Sequence, residues 1–175
     1  KEWSPDQFSF TTPVPDTEIE LNATQSLEVE WLSNGEAVAD GSSVVFETTR
    51  GVFTQSGSST ATVTTIGGTA TVDISSTNVG PASVTARSNT ANGPSAQRTF
   101  EFVSTTPTQL NLQADKTQIG QNESAVILAT VRDANNNLVK NATVNFALDD
   151  VTGGSLSAGS CETNSQGQTQ IAYTS

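Results

Sequence analysis

The chain has 175 residues, which suits one and a half to two β-sandwich modules of about 100 residues each, and only 34% of them are hydrophobic, which argues against a large enzyme core. Seven basic residues stand against eighteen acidic ones, for a net charge of −11; a surface this acidic repels phosphate backbones and anionic lipid headgroups and argues against nucleic acid and membrane partners. The sequence has no histidine, and its one cysteine, Cys161, has no partner within it, so the usual general base, the usual zinc ligand and an internal disulfide framework are missing.

Apolar residues recur with period two along almost the whole chain, which is the signature of strands with one inward and one watered face. Phe8-Ser9-Phe10 comes first, followed by Thr11-Thr12-Pro13. Ile19 and Leu21 alternate with Glu18, Glu20 and Asn22, and Leu27, Val29 and Trp31 alternate with Glu28 and Glu30. Val44 and Phe46 flank Val45; Ala70, Val72 and Ile74 alternate with Thr71 and Asp73. Ala82, Val84 and Ala86 follow, then Phe100 and Phe102 around Glu101. Turn signals separate these runs at Asn34-Gly35, Gly67-Gly68, Gly80-Pro81 and Asn92-Gly93-Pro94. Threonine is abundant, and its branched side chain suits a half-exposed strand face. Helical periodicity is not evident anywhere. No apolar run approaches the ~20 residues that span a bilayer. No secretory leader is visible, and Lys1 is not a natural initiator, so the chain reads as a piece of something longer.

The sequence repeats itself at an offset near one hundred. Ser43-Val44-Val45-Phe46 matches Thr143-Val144-Asn145-Phe146, and Leu27, Val29 and Trp31 match Ile127, Ala129 and Val131. Gly51-Val52-Phe53 matches Gly154-Ser155-Leu156, and the run from Gly68 to Ile74 matches that from Gly167 to Tyr173. Ile19-Glu20-Leu21 matches Leu110-Asn111-Leu112. The expected organisation is therefore a first module at 14–103, a linker at 104–107 and a second module at 108–175. The segment at 1–13 resembles the last strand of a preceding module, because Phe8-Ser9-Phe10 before Thr-Thr-Pro repeats Phe100-Glu101-Phe102 before Thr105-Thr106-Pro107. Ser175 aligns with Ser76, so the second module lacks counterparts of 77–103, its last strands. A sandwich with those strands missing has unpaired edges, and strand exchange with a second copy, through 7–12, is one way to fill them.

The second module carries Asp133-Ala134-Asn135-Asn136-Asn137 between two strands, then Thr143-Val144-Asn145-Phe146, then Thr163-Asn164-Ser165-Gln166-Gly167. This resembles the bacterial immunoglobulin-like group 1 repeat of intimin and invasin adhesins, with Asn136 where that pattern often has Gly. The resemblance implies an all-β chain of tandem immunoglobulin-like β-sandwiches, the second C-terminally incomplete. It implies a non-catalytic stalk or spacer at the bacterial cell surface, anchored through the outer membrane in the full-length protein, with other immunoglobulin-like repeats of the same chain as its neighbours. The rival readings are an immunoglobulin-like module that itself contacts a host protein or glycan, and an accessory domain of a secreted carbohydrate-active enzyme.

Candidate chemistry is sparse. Asp133, Asn135 and Asn137 begin like a calcium loop, but position twelve is Val144 where a bidentate Glu is needed, and a hairpin turn is the preferred reading. Asp149-Asp150 with Asp16, Glu18 and Glu20 could hold Ca²⁺ at a module junction, although alternate acids on one strand also make a plain solvated face. Asn22-Ala23-Thr24, Asn122-Glu123-Ser124 and Asn141-Ala142-Thr143 fit the glycosylation pattern, which arises readily by chance in an Asn- and Thr-rich chain. Trp31 reads as a core residue and Trp3 as an edge-strand anchor. The expected catalytic, cofactor-binding and metal residues are none.

Overall fold

Alternation and β-branching are realised throughout: in the computed structural model, which describes residues 6–149 and 153–175, every regular element is a β-strand. The chain divides after Phe102 into two units.

The first unit holds β1 (Gln7–Thr12), β2 (Thr17–Glu20), β3 (Gln25–Ser33), β4 (Glu36–Ala37), β5 (Ser43–Thr48), β6 (Val52–Phe53), β7 (Thr60–Thr64), β8 (Thr69–Ser75), β9 (Gly80–Ser88) and β10 (Ser95–Val103). One sheet runs β1-β3-β8-β6, with β4 added to β3; the other runs β2-β10-β9-β5-β7. These are two sheets of an immunoglobulin-like sandwich, with the first strand split so that β1 serves one sheet and β2 the other. The chain changes sheet at the cis Thr12-Pro13 bond and at Asp16, whose φ is 60°. Apolar alternation sets the register. Leu27, Val29, Ala70, Val72 and Ile74 from the first sheet meet Val44, Phe46, Ala82, Val84, Ala86, Phe100 and Phe102 from the second in one buried cluster. Phe10 and Ile19, from the two halves of the split strand, are 6% and 4% exposed in that same cluster. Edge-on aromatic contacts link Phe10 to Phe46 and Phe46 to Phe53, each 6.2 Å between centroids, and such pairs add about 0.5–1.5 kcal/mol each to simple burial. Trp31 is half-buried at the cluster's margin, edge-on to Phe8 at 5.6 Å.

The second unit holds β11 (Gln109–Ala114), β12 (Ser124–Arg132), β13 (Thr143–Asn145), β14 (Ser155–Leu156), β15 (Ser160–Glu162) and β16 (Gln168–Thr174). Its larger sheet runs β11-β12-β16-β14, the order of β1-β3-β8-β6; β13 pairs with β15 as β5 pairs with β7, but in a sheet of two strands where the first unit has five. Among the described residues, no strands stand where β9 and β10 stand in the first unit.

The ladders correct part of the sequence alignment. Phe8 and Phe10 face Trp31 and Val29, while Leu110 and Leu112 face Val131 and Ala129. The true counterparts of Leu110 and Leu112 are thus Phe8 and Phe10, and Ile19 corresponds to Ile119. Residues 7–12, read above as a strand from a preceding module, are the first strand of the first unit. The linker expected at 104–107 also begins inside a unit: Ser104 is 3% exposed and bridges to Val139.

Beneath the strand order lies a repeated polar node. The Thr65 hydroxyl donates to the Ala39 carbonyl at 2.9 Å and accepts from the Ser42 amide at 3.2 Å. The Thr163 hydroxyl donates to the Val139 carbonyl at 2.6 Å and accepts from the Ala142 amide at 2.9 Å. Both threonines are buried, and buried backbone groups that find such partners avoid the penalty of unmet hydrogen bonds. A glycine follows each node. A Cβ on Gly68, at φ 79°, would lie 2.9 Å from the Ala37 Cβ; one on Gly167, at φ 63°, would lie 2.7 Å from the Val131 carbonyl. Gly67, at φ 59°, has open space around it.

This contrast gives a test within one turn. Gly67→Ala carries the left-handed backbone penalty alone, about 1 kcal/mol, whereas Gly68→Ala adds a packing clash and loses about 2–4 kcal/mol in all. Equal losses in denaturant unfolding would show that the close approach of β4 to Gly68 is not a constraint.

Candidate functional site: the open face of the second unit

The residues singled out for chemistry are mostly used by the fold. Asp133 is 5% exposed. Its Oδ1 accepts the amides of Asn135 and Asn137 at 2.9 and 2.8 Å; its Oδ2 accepts the Asn137 side-chain amide at 3.0 Å and the Ser104 hydroxyl at 2.9 Å. Four donors saturate the carboxylate, so the Asp133-Asn137 segment is a self-satisfied turn. Asn136 takes φ 67° there, which Asn tolerates as Gly does. Desolvation pushes the Asp133 carboxyl up, but hydrogen bonds from the Asn137 side chain and backbone, Ser104 and Asn135 outweigh it and hold the group below its ordinary value of 3.8.

The acids Asp16, Glu18 and Glu20 belong to the first unit, Glu18 and Glu20 with exposed side chains on β2. Asp149 belongs to the second unit, and Asp150, like Trp3, lies outside the described residues. Among the described residues, no group of three or more His, Cys, Asp or Glu side chains is placed to hold a metal ion. The three glycosylation-pattern asparagines share a backbone role: Asn22, Asn122 and Asn141 have φ of 63°, 62° and 57°. Asn22 and Asn122 donate their amides to the equivalent carbonyls of Ser76 and Ser175. Cys161 sits half-buried on β15, opposite Val144.

Among the described residues, one face of the second unit is uncovered. Leu110 and Leu112 on β11 are each 54% exposed, although Phe8, the counterpart of Leu110, is half-buried and Phe10, the counterpart of Leu112, is 6% exposed. Ile127 is half-buried where Leu27 is fully buried, and Ile119 is half-buried where Ile19 is buried. The second unit's buried cluster shrinks to Ala129, Val131, Val139 and Val144, flanked by Ala142 and Phe146. Full burial of a leucine stabilises by about 1.5–3 kcal/mol, so two half-exposed leucines on one strand leave a comparable amount unrealised. Two hollows open on this face. One of about 340 Å³ is lined by Leu110, Val131 and Val144 among others; another of about 190 Å³ is lined by Ile119, Ile127 and Tyr173 among others.

No protein-family model matches the chain, and no curated protein does. Solved structures similar to it include the D0-D1 domain of intimin, at 22% identity over 97% of this chain and 84% of that one, with a TM-score of 0.42. The adhesin InvE of Yersinia pseudotuberculosis is similar at 17% identity over 97% of this chain, which spans about half of that protein (51%), with a TM-score of 0.43. An alpha-2-macroglobulin from Escherichia coli is similar at 12% identity over 96% of this chain and 13% of that one, with a TM-score of 0.42. The all-β, immunoglobulin-like assignment rests on the strand order and the shared core described above.

The Asp133 turn predicts an acid response. Its carboxyl is held below 3.8, so its contribution is fully present above that value and is lost as pH falls through the lower folded value. Asp133→Ala, which strands several donors, is expected to cost the second unit about 2–3 kcal/mol near neutral pH. Asp133→Asn should flatten the acid-side decline relative to the unaltered chain. The chain's one tyrosine, Tyr173, lies in the second unit and both tryptophans precede residue 103, so tyrosine and tryptophan emission follow the two units separately during unfolding. An unchanged acid limb in Asp133→Asn would contradict the assignment.

Proposed function

We propose that this chain is a structural stalk or spacer segment of a bacterial cell-surface adhesin of the intimin and invasin type. It is non-catalytic, lies outside the cell and presents a distal binding domain, with other immunoglobulin-like repeats of the same polypeptide as its neighbours. The observation that carries this reading is repetition at the level of single hydrogen bonds. Two units in series share one strand frame, the Thr65 and Thr163 nodes, the Gly68 and Gly167 approaches and the Asn22 and Asn122 turns. A chain that reuses one scaffold in this way is suited to setting length, since each unit adds a fixed increment of reach. The group 1 immunoglobulin-like pattern in the second unit supports the same class. A strongly acidic surface keeps such a segment soluble.

A second reading, a module that itself binds a host protein or glycan, is favoured by the exposed Leu110 and Leu112. One exchange separates the two. In the full-length surface protein, an unrelated pair of immunoglobulin-like modules of the same length replaces residues 1–175, and display is verified by antibody. A spacer predicts that adhesion is retained, and that deletion without replacement reduces it. Loss of adhesion on replacement, with display intact, would assign binding to this segment.

A further inference from the structure

We propose that Arg98 guards an open strand edge of the first unit: it is an inward charge that keeps a second copy of this chain from pairing onto the uncovered part of β10. The inference does not rest on the spacer reading. On one side β10 is laddered to β9, from Ser95 opposite Arg87 to Phe102 opposite Gly80. On the other side stands β2, which is only four residues long. The Asp16 amide, just before β2, donates to the Thr99 carbonyl at 3.1 Å. Beyond β2, the Asn22 amide donates to the Ser76 carbonyl, a few residues before Gly80 and so at the Phe102 end of β10. β2 therefore covers β10 from Thr99 onward. Residues 95–98 have β9 on one side and, among the described residues, no strand on the other. Splitting of the first strand leaves this gap, because β1 joins the opposite sheet.

A bare strand edge offers backbone donors and acceptors to any matching strand. Ser95, Ala96 and Gln97 carry no charge, so nothing in them opposes antiparallel pairing of this edge with the same edge of a second copy. Phe8 and Ala96 are only partly buried there, so apolar surface remains for such a pairing to cover. Arg98 is the exception. Alternation on β10 points it inward with Ala96 and Phe100. Its guanidinium lies 5.6 Å over the Phe10 ring and donates to the Phe10 carbonyl at 2.7 Å. Arg98 thus reaches from the bare edge of one sheet across to β1, the edge strand of the other. Its Nε is buried without an acceptor, and no carboxylate among the described residues pairs with it. Such a group adds little to folding, since one hydrogen bond and one ring contact stand against desolvation and an orphaned donor. In a pairing of two copies its effect is larger. Two Arg98 side chains of like charge would be sealed into the joined opening with no carboxylate to receive them.

The test is light scattering on the full chain over a concentration series, with Arg98→Met and Arg98→Lys beside the parent. Arg98→Met keeps an unbranched side chain and removes the charge. It is expected to self-associate at concentrations about tenfold or more below the parent's. The unfolding midpoint of its first unit, read from tryptophan emission, should stay at or above the parent's. In the associated form, amides of residues 95–98 should gain protection from hydrogen exchange. Arg98→Lys keeps the charge and should behave as the parent does. Self-association of Arg98→Met no stronger than the parent's overturns the proposal, as does equally strong association of Arg98→Lys, or association that leaves residues 95–98 unprotected. A midpoint lowered by several degrees in Arg98→Met also overturns it, because Arg98 would then serve the packing of its own unit and not the exclusion of a second copy.

Discussion

A sheet with one apolar face is stable only when something covers that face, and both units are organised by how far this condition is met. In the first unit, β9 and β10 bring Ala82, Val84, Ala86, Phe100 and Phe102 onto the sheet of β1, β3 and β8, and the shared cluster closes. The remaining features follow from that closure. Gly51 must lack a Cβ because the Phe102 ring lies about 3.2 Å from where one would stand and the Ser75 carbonyl 2.6 Å. Arg98 is drawn in over the Phe10 ring, at 5.6 Å, and donates to the Phe10 carbonyl at 2.7 Å. In the second unit the same sheet forms in the same order, but among the described residues its cover is a single strand pair. Exposure of Leu110 and Leu112 is the direct consequence.

The polar interior tells the same story in smaller units. Where β5 and β13 begin, a residue with positive φ, Gly41 or Asn141, donates to the carbonyl of the node threonine. The threonine hydroxyl then ties the next amide to an earlier carbonyl. This is local chemistry that does not depend on the covering strands, which is why it is intact in both units although their cores differ. The Asp133 turn and its Ser104 partner add a second local anchor to the second unit. In the first unit Asp6 takes a similar part from the other side, accepting from the Ser33 hydroxyl and the Asn34 amide.

Period-two alternation made the long strands legible: Leu27-Val29, Ala70-Val72-Ile74 and Ala82-Val84-Ala86 all point inward as read. It could not say which sheet an alternating run joins. Phe8-Phe10 and Phe100-Phe102 look alike in sequence, yet one pair lies on β1 and the other on β10, in opposite sheets. For the same reason Leu110-Leu112 matched Ile19-Leu21, since splitting the first strand between two sheets produces two alternating runs where an unsplit strand gives one. The two-residue strands β4, β6 and β14 are too short to carry a period. Thr65 was hidden by the abundance of threonine, and its distance to Gly68 is one residue shorter than that from Thr163 to Gly167, so the two nodes share no fixed spacing. Alternation also marks which face is apolar without marking how far each residue on it is covered, so the exposure of Leu110 and Leu112 became visible only in the structure.

Hydrogen exchange on the intact chain, read strand by strand, addresses the incomplete cover of the second unit most directly. β5 and β13 are equivalent strands, one flanked on both sides and the other, among the described residues, on one. If the cover is incomplete, amides of β13 should exchange orders of magnitude faster than those of β5, while β12 and β16 remain protected at the centre of their sheet. Equal protection of β5 and β13 would mean that the second unit is closed in solution, and the open face would not exist.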